Sequence, residues 1–343
     1  KPLAMLTGGP GTGKTTTISK ALALWVDAFF SRHQRVPDII LCAPTGKAAA
    51  RMNDSWQAQK PLLQSQLRPE LQGALPETAQ TLHRVLGINP LSRQAKADAE
   101  SPLKADLLIL DEASMIDLPL LAQVLQALPG ECHLLLVGDP NQLPSIEAGN
   151  LLGSLMPDAE GRYALPALKC AHLHLQENYR QLAQEGLSRL ARDCLLLPAE
   201  QFVDQLTANT YPHVSWSPHP LGQRQQIITE AVRFYRELAA GADAGAALAR
   251  LNERIILTPL RGGPTGCETL NLMIGRGLSA ADKFHGQAIM ITENAPQLGL
   301  ANGDTGLLWR DGEDGLQAVF LTGGAVAQFS LGSLPAHEAA YAM

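Results

Sequence analysis

The amino-acid sequence predicts an α/β fold built on a parallel sheet, and three observations carry that expectation. Through roughly the first two hundred residues, short apolar runs alternate with segments of helical periodicity, the pattern of successive βα units. The runs are apolar at nearly every position, as expected of strands covered on both faces. The first run ends in a glycine-rich turn that leads straight into a helical pattern, as a strand-to-helix junction requires.

Taken in order, residues 3–7 form the first strand candidate. From Lys14, the residues Ile18, Leu22, Trp25 and Phe29, joined by Ala21 and Val26, recur at helical spacing. Further strands are predicted at 38–43, 106–110, 133–137 and 172–175. Between Ile88 and Leu103 the pattern lapses into polar and small residues with two prolines, a surface excursion that is either a solvated loop or a hairpin. Beyond about residue 183 the texture changes. Residues 224–240 predict an amphipathic helix, with Ile227, Ala231, Phe234 and Leu238 on one stripe and Ile228, Val232 and Tyr235 beside it. Runs at 288–292, 305–310, 316–321 and 325–331 are separated by Asn302-Gly303-Asp304, Asp311-Gly312 and Gly323-Gly324, which predicts a small antiparallel meander or barrel.

A length of 343 residues suggests about two domains. Hydrophobic residues make up 45% and charged residues 17%, the balance of a well-cored protein. No apolar run approaches the roughly 18 residues of a membrane span, which argues against an integral helical membrane protein. No charged-then-apolar leader is visible, and the five cysteines (Cys42, Cys132, Cys170, Cys194, Cys267) lie far apart without a C-x-x-C pair. The expectation is therefore a reducing cytoplasm, with neither a disulfide framework nor a structural zinc. Both ends are abrupt, with Lys1-Pro2 running into an apolar strand, so the chain reads as a fragment of a longer protein. Net charge is −6, and residues 1–60 hold eight Lys/Arg against three acids; that segment is +5, leaving −11 for the rest. Such asymmetry suits a phosphate-handling face but does not by itself establish one.

Gly8-Gly9-Pro10-Gly11-Thr12-Gly13-Lys14-Thr15 fits G-x-x-x-x-G-K-[ST] between a strand and a helix. Glycines let backbone N–H groups turn toward phosphate oxygens, and the helix N-terminus adds positive potential. Gly9, Pro10, Gly11, Thr12, Gly13, Lys14, Thr15 and Thr16 are the expected nucleotide contacts. Lys14 would reach the terminal phosphates, and the Thr15 hydroxyl would hold Mg²⁺. The apolar run Leu107-Leu108-Ile109-Leu110 ends in Asp111-Glu112. Asp111 sits where a Mg²⁺-bound water is usually held, and Glu112 is placed to polarise an attacking water. The pair of motifs predicts nucleoside triphosphate hydrolysis and leaves its purpose open.

Asp111-Glu112-Ala113-Ser114 resembles the superfamily-one DNA and RNA helicases. Further blocks fall in that family's order: Ala43-Pro44-Thr45-Gly46-Lys47-Ala48-Ala49-Ala50-Arg51, Thr81-Leu82-His83-Arg84, Val137-Gly138-Asp139-Pro140-Asn141-Gln142-Leu143 and Glu177-Asn178-Tyr179-Arg180. The wording through Met115-Ile116-Asp117-Leu118-Pro119 and Ser145-Ile146-Glu147-Ala148-Gly149-Asn150 is similar to one branch, the RecD family of exodeoxyribonuclease V alpha chains. The resemblance is dense over 3–182, thins through 183–250, and returns at Thr258-Pro259-Leu260-Arg261-Gly262-Gly263-Pro264-Thr265-Gly266 and over 298–306.

That resemblance implies a P-loop NTPase with two RecA-like domains, the first at 1–182 and the second, incomplete, at 183–283 plus 334–343. It implies an SH3-like β insert at 284–333 and a wedge hairpin at 88–103. Lys14, Glu112, Gln142 and Arg180 would be catalytic, with Gln142 sensing the γ-phosphate and Arg180 stabilising charge on the transferring group. Thr45, Lys47, Thr81, His83 and Arg261 would contact single-stranded DNA. The implied activity is ATP- and Mg²⁺-dependent 5′-to-3′ DNA helicase or translocase work in double-strand break repair and recombination, beside partner helicase and nuclease subunits in the cytoplasm. A DNA-independent P-loop remodelling ATPase and a nucleotide-binding regulatory or scaffold subunit are the alternatives.

Overall fold

The computed structural model describes residues 2–343 apart from 90, 146–148, 159, 178–184, 242, 311–314 and 323–324. The chain divides into two units, Lys1–Val214 and Ser215–Met343.

The first unit opens with β1 (Leu3–Gly8), α1 (Lys14–His33), β2 (Ile39–Ala43), α2 (Gly46–Gln66), β3 (Gln80–Thr81) and α3 (Leu82–Leu86). It continues through β4 (Leu107–Leu110), α4 (Leu118–Ala127), β5 (His133–Gly138), α5 (Leu151–Leu155), β6 (His172–Leu175), α6 (Glu185–Leu196) and α7 (Ala199–Thr207). The six strands form one parallel sheet in the order β3-β2-β4-β5-β1-β6. Successive side chains on a strand point to opposite faces, and both faces are buried. Leu108 and Leu110 join Met5, Leu134 and Leu136 in a core with Ile116, Val124 and Leu152. Leu107 and Ile109 join Leu6, Leu41 and Val137 in a second core with Ile18, Leu22, Val26, Met52 and Trp56. This two-sided burial explains the uninterrupted apolar runs.

In a parallel sheet all strands end at one edge, so the β1, β2, β4 and β5 C-termini bring residues distant in sequence together. At the opposite edge, the Arg35 guanidinium pairs with the Asp106 carboxylate, Nη1 to Oδ2 at 2.7 Å. The excursion at 88–103 contains no strand among its described residues. There the Asn89 N–H donates to Gln94 O at 2.9 Å and the Arg93 N–H to Asn89 O at 2.8 Å.

The second unit contains α8 (Pro220–Ala239), α9 (Ala244–Leu251) and α10 (Cys267–Leu278). These are followed by β7 (Gln287–Ile291), β8 (Thr305–Arg310), β9 (Leu316–Thr322), β10 (Ala325–Ser330) and β11 (His337–Ala339). The strands form an antiparallel sheet in the order β10-β9-β8-β7-β11, containing the expected meander. Leu307, Trp309 and Val319 face a core with Ile228, Phe234, Leu248 and Ile274 from the helices. Leu308, Ala318 and Phe320 pack on the other face with Ile289 and Leu300. One residue of the predicted α8 stripe is misplaced: Ile227 is 39% exposed, whereas Ile228 is 5% exposed and lies in the core. The buried arc comprises Ile228, Ala231, Val232, Phe234, Tyr235 and Leu238, rotated one position from the predicted centre.

Candidate nucleotide site

The site begins where β1 ends. Gly11 and Gly13 adopt φ of 78° and 84°, left-handed values that side-chain-bearing residues rarely take, and Gly13 caps α1. The Thr12 hydroxyl donates to Gly9 O at 2.9 Å and is buried with the loop. The Lys14 ammonium turns back into the loop, donating to Gly8 O at 2.7 Å and to Gly9 O at 3.0 Å. Thr15 is half-buried in the first turn of α1, while Thr16 and Pro10 are exposed. The loop therefore curls around an ammonium at the positive end of a twenty-residue helix, where an anion is stabilised.

Two strands away, β4 delivers Asp111 and Glu112. The Asp111 N–H donates to Cys42 O at 2.9 Å, and its carboxylate Oδ1 accepts from the Glu112 N–H at 2.9 Å. Glu112 itself has φ 52° and ψ 42°, a left-handed conformation that costs a non-glycine residue about 1–2 kcal/mol. The turn behind it depends on Gly138 at the end of β5. A Cβ there would meet Leu152 Cδ2 at 2.8 Å and the Ala113 and Ser114 nitrogens at 3.2 and 3.3 Å.

Burial raises the Asp111 carboxyl above its ordinary range, with the Glu112 N–H and the Lys14 charge pulling the other way. Glu112 is raised by burial first, then by Asp111; Lys14 and Arg51 oppose the shift, and Asp139 adds to it. The P-loop lysine and the acidic pair thus share one electrostatic neighbourhood at the C-terminal edge of the sheet. A raised Glu112 pKa suits proton acceptance near neutral pH. Arg51 and the buried Asp139 belong to this neighbourhood without having been assigned a role from sequence. Arg51 follows Lys47 by one helical turn on α2, the spacing that could have flagged it.

The remaining expected residues are distributed as follows. Gln142 is exposed on the turn after β5, where its N–H donates to Asp139 O at 3.2 Å. Arg180 lies outside the described residues. Thr45 and Thr81 both cap helices: Thr45 Oγ1 accepts from the Ala48 N–H at 3.2 Å, and Thr81 Oγ1 from the Arg84 N–H at 3.4 Å. Thr45 follows β2 and Thr81 ends β3, two strands paired with each other, with Lys47 half-buried and His83 exposed on the helices they start. Arg261, in the second unit, pairs with Glu268 at 2.9 Å and Glu338 at 3.3 Å. Among the described residues, no group of three or more His, Cys, Asp or Glu could hold a metal unaided, and no helix is long and apolar enough to cross a membrane.

Residues 1–148 match the AAA domain family. Over 99% of its length the chain is 34% identical to the RecBCD enzyme subunit RecD of Mycolicibacterium smegmatis, covering 60% of that protein. Nearly the whole chain is thus similar to a RecD protein. It is also 31% identical over 89% of its length to the ATP-dependent RecD2 DNA helicase of Deinococcus radiodurans, covering 36% of that protein. A solved structure of a Bacteroides Pif1 helicase in complex with ADP-AlF3 and ssDNA aligns with the whole chain at a TM-score of 0.48 and 17% identity, covering 78% of that protein. The chain spans about 60% of the length of the RecD relative it matches.

Proposed function

We propose that this chain is the motor part of an ATP-dependent 5′-to-3′ DNA helicase or translocase subunit. It would act in double-strand break processing and recombination in the cytoplasm, within a helicase–nuclease complex that supplies a second helicase and a nuclease. The observation that carries the reading is the convergence of Lys14 with Asp111 and Glu112 at one edge of the parallel sheet. Similarity to a RecBCD enzyme subunit and to an ATP-dependent DNA helicase supports the partners and the substrate class.

In this reading, the backbone of residues 9–13 and the Lys14 ammonium bind the ATP phosphates, with Thr16 at the loop's exit. Glu112 accepts a proton from the attacking water, helped by a pKa already raised by burial. Gln142 and Arg180 answer to the γ-phosphate. The donor set fits Mg²⁺, which usually takes one or two carboxylates plus substrate phosphates. Thr15 and Asp111 would hold the ion, and the burial of Asp111 leaves a carboxylate whose charge a cation would offset. Bound there, Mg²⁺ would neutralise phosphate charge.

Thr45, Lys47, Thr81 and His83 would track the DNA backbone from the first unit and Arg261 from the second. The domain reading stays as 1–182, 183–283 plus 334–343, and an SH3-like insert at 284–333. The deciding experiment is ATP turnover by the intact protein, with and without single-stranded DNA, over a salt series. Strong, salt-sensitive stimulation is expected of a strand-tracking motor. Turnover indifferent to DNA would replace it with a remodelling ATPase, and nucleotide binding without turnover with a regulatory or scaffold subunit.

A further inference from the structure

One buried hydroxyl next to the phosphate-binding loop is held by a chain of titratable side chains. Thr7 immediately precedes Gly8 and is 0% exposed. A hydroxyl so buried requires hydrogen-bond partners. Its Oγ1 lies 2.7 Å from His172 Nε2 and 2.8 Å from His174 Nδ1. Alternation along β6 puts both histidines on one face, and the parallel register sets His174 level with Thr7 and His172 level with Met5. Behind them, the Tyr163 hydroxyl is 2.8 Å from His172 Nδ1, with its ring edge-on to the imidazole.

The proton count restricts this chain. A threonine hydroxyl carries one proton, so it can donate to only one of two ring nitrogens and must accept from the other. With both histidines neutral, two arrangements satisfy every group. Either Tyr163 donates to His172, His172 to Thr7 and Thr7 to His174, or the whole chain runs in reverse. One added proton, on either ring, is compatible with Thr7 donating to one ring and accepting from the other. A second is not, because both rings would then donate to Thr7 and its own proton would lose its acceptor. His172 resists that second proton: burial first, and then the neighbouring His174, hold it below the ordinary histidine range. The titratable groups facing His172 among the described residues are Tyr163 and His174, while β1 presents the uncharged Thr7 and Met5.

The loop feels this strand directly. A Cβ on Gly8 would fall 2.9 Å from Leu175 O, so β1 and β6 touch without spare room, and the Gly8 carbonyl is one of the two that receive Lys14. We infer that Tyr163, His172, Thr7 and His174 form a positioning network that sets the phosphate-binding loop and couples nucleotide affinity to histidine protonation. The inference rests on the nucleotide-binding reading of that loop. The four residues are positioning residues, acting through Gly8 and Lys14.

The test is ADP affinity of the intact protein, measured from about pH 7.5 to about pH 5.5, for wild type, Thr7→Val, Thr7→Ser and His174→Asn. Comparison between variants cancels the protonation of ADP itself. Wild-type affinity is expected to fall about tenfold more over that range than Thr7→Val affinity, the size of one proton-linked pKa unit. Thr7→Ser restores the wild-type profile. His174→Asn, which removes one of the two imidazoles, flattens the profile. A Thr7→Val profile that superimposes on wild type, while Lys14→Ala abolishes binding, overturns the network and leaves the nucleotide site standing. ADP that fails to bind wild type at any pH, so that Lys14→Ala changes nothing, overturns the loop reading and the inference with it.

Discussion

The Lys14 ammonium and the Gly8 carbonyl are hydrogen-bonded at 2.7 Å across the mouth of the loop that separates them in sequence. With the second bond to Gly9, the lysine closes the loop as well as charging it. Both roles reside in one side chain, and they can be separated by experiment.

Lys14→Ala should lower ATP turnover by at least about a hundredfold, the loss usual when a donor to developing charge is removed. The two lost hydrogen bonds are worth about 1 kcal/mol each, so Tm should fall by less than about 8 °C. Calorimetry alongside turnover checks the pair. A collapse of the fold would make Lys14 chiefly structural.

Glu112→Gln should also suppress turnover, by about 10²- to 10⁴-fold, yet raise stability. Because its folded pKa is raised, Glu112 contributes most to stability below its unfolded pKa and loses that contribution as pH rises through the folded value. At neutral pH the buried charge therefore opposes folding. Removing it should raise Tm by about 2–4 °C at pH 7.5, with the gain shrinking as pH falls toward 4. Thermal melts at the two pH values measure it.

Gly138→Ala should be destabilising by about 1–3 kcal/mol, because the new methyl enters contacts of 2.8–3.3 Å with Leu152 and the turn bearing Ala113 and Ser114. That turn carries Glu112, so turnover should drop more than nucleotide affinity. Denaturant titration and a separate binding isotherm distinguish the two losses.

Asp106→Asn, at the far edge of the sheet, serves as the contrasting case. Its hydrogen bond from Arg35, against a smaller opposing effect of burial, holds the Asp106 carboxyl below the usual range. The contribution is thus present above the unfolded pKa and lost as pH falls through the folded one. Tm should fall by about 1–3 °C at pH 7, the deficit should vanish near pH 3, and turnover should be unchanged.

Lys47→Ala should weaken single-stranded DNA binding evenly across sequences and reduce the salt slope by about one contact. Fluorescence titrations at several salt concentrations read both. An unchanged slope would remove Lys47 from the DNA path.

Sequence pattern revealed the parallel sheet well because β1, β2, β4 and β5 are covered on both faces, which writes burial as continuous apolar runs. β3 escaped, being only Gln80–Thr81 and held by pairing with Cys42 and Ala43. The one-position error at Ile227 arose because 3.6-residue periodicity locates a stripe but not the width of the buried arc around it. The P-loop and the Asp111–Glu112 pair are contiguous in sequence and so were visible there. Arg51, Asp139 and the His172–Thr7–His174 cluster were not, because their meaning comes from strand order. Nothing in the sequence alone places β1 between β5 and β6.

The two sheets also end differently. The parallel sheet stops at a two-residue strand on one side and a four-residue strand on the other, leaving few free backbone groups for a foreign strand to pair with. The antiparallel sheet ends at β10, six residues long and largely exposed. An edge strand of that length, paired on one side only, is the usual template for edge-to-edge sticking. Self-association at high concentration should therefore start from residues 325–330, and a lysine introduced at Val326 should suppress it while leaving the nucleotide site untouched.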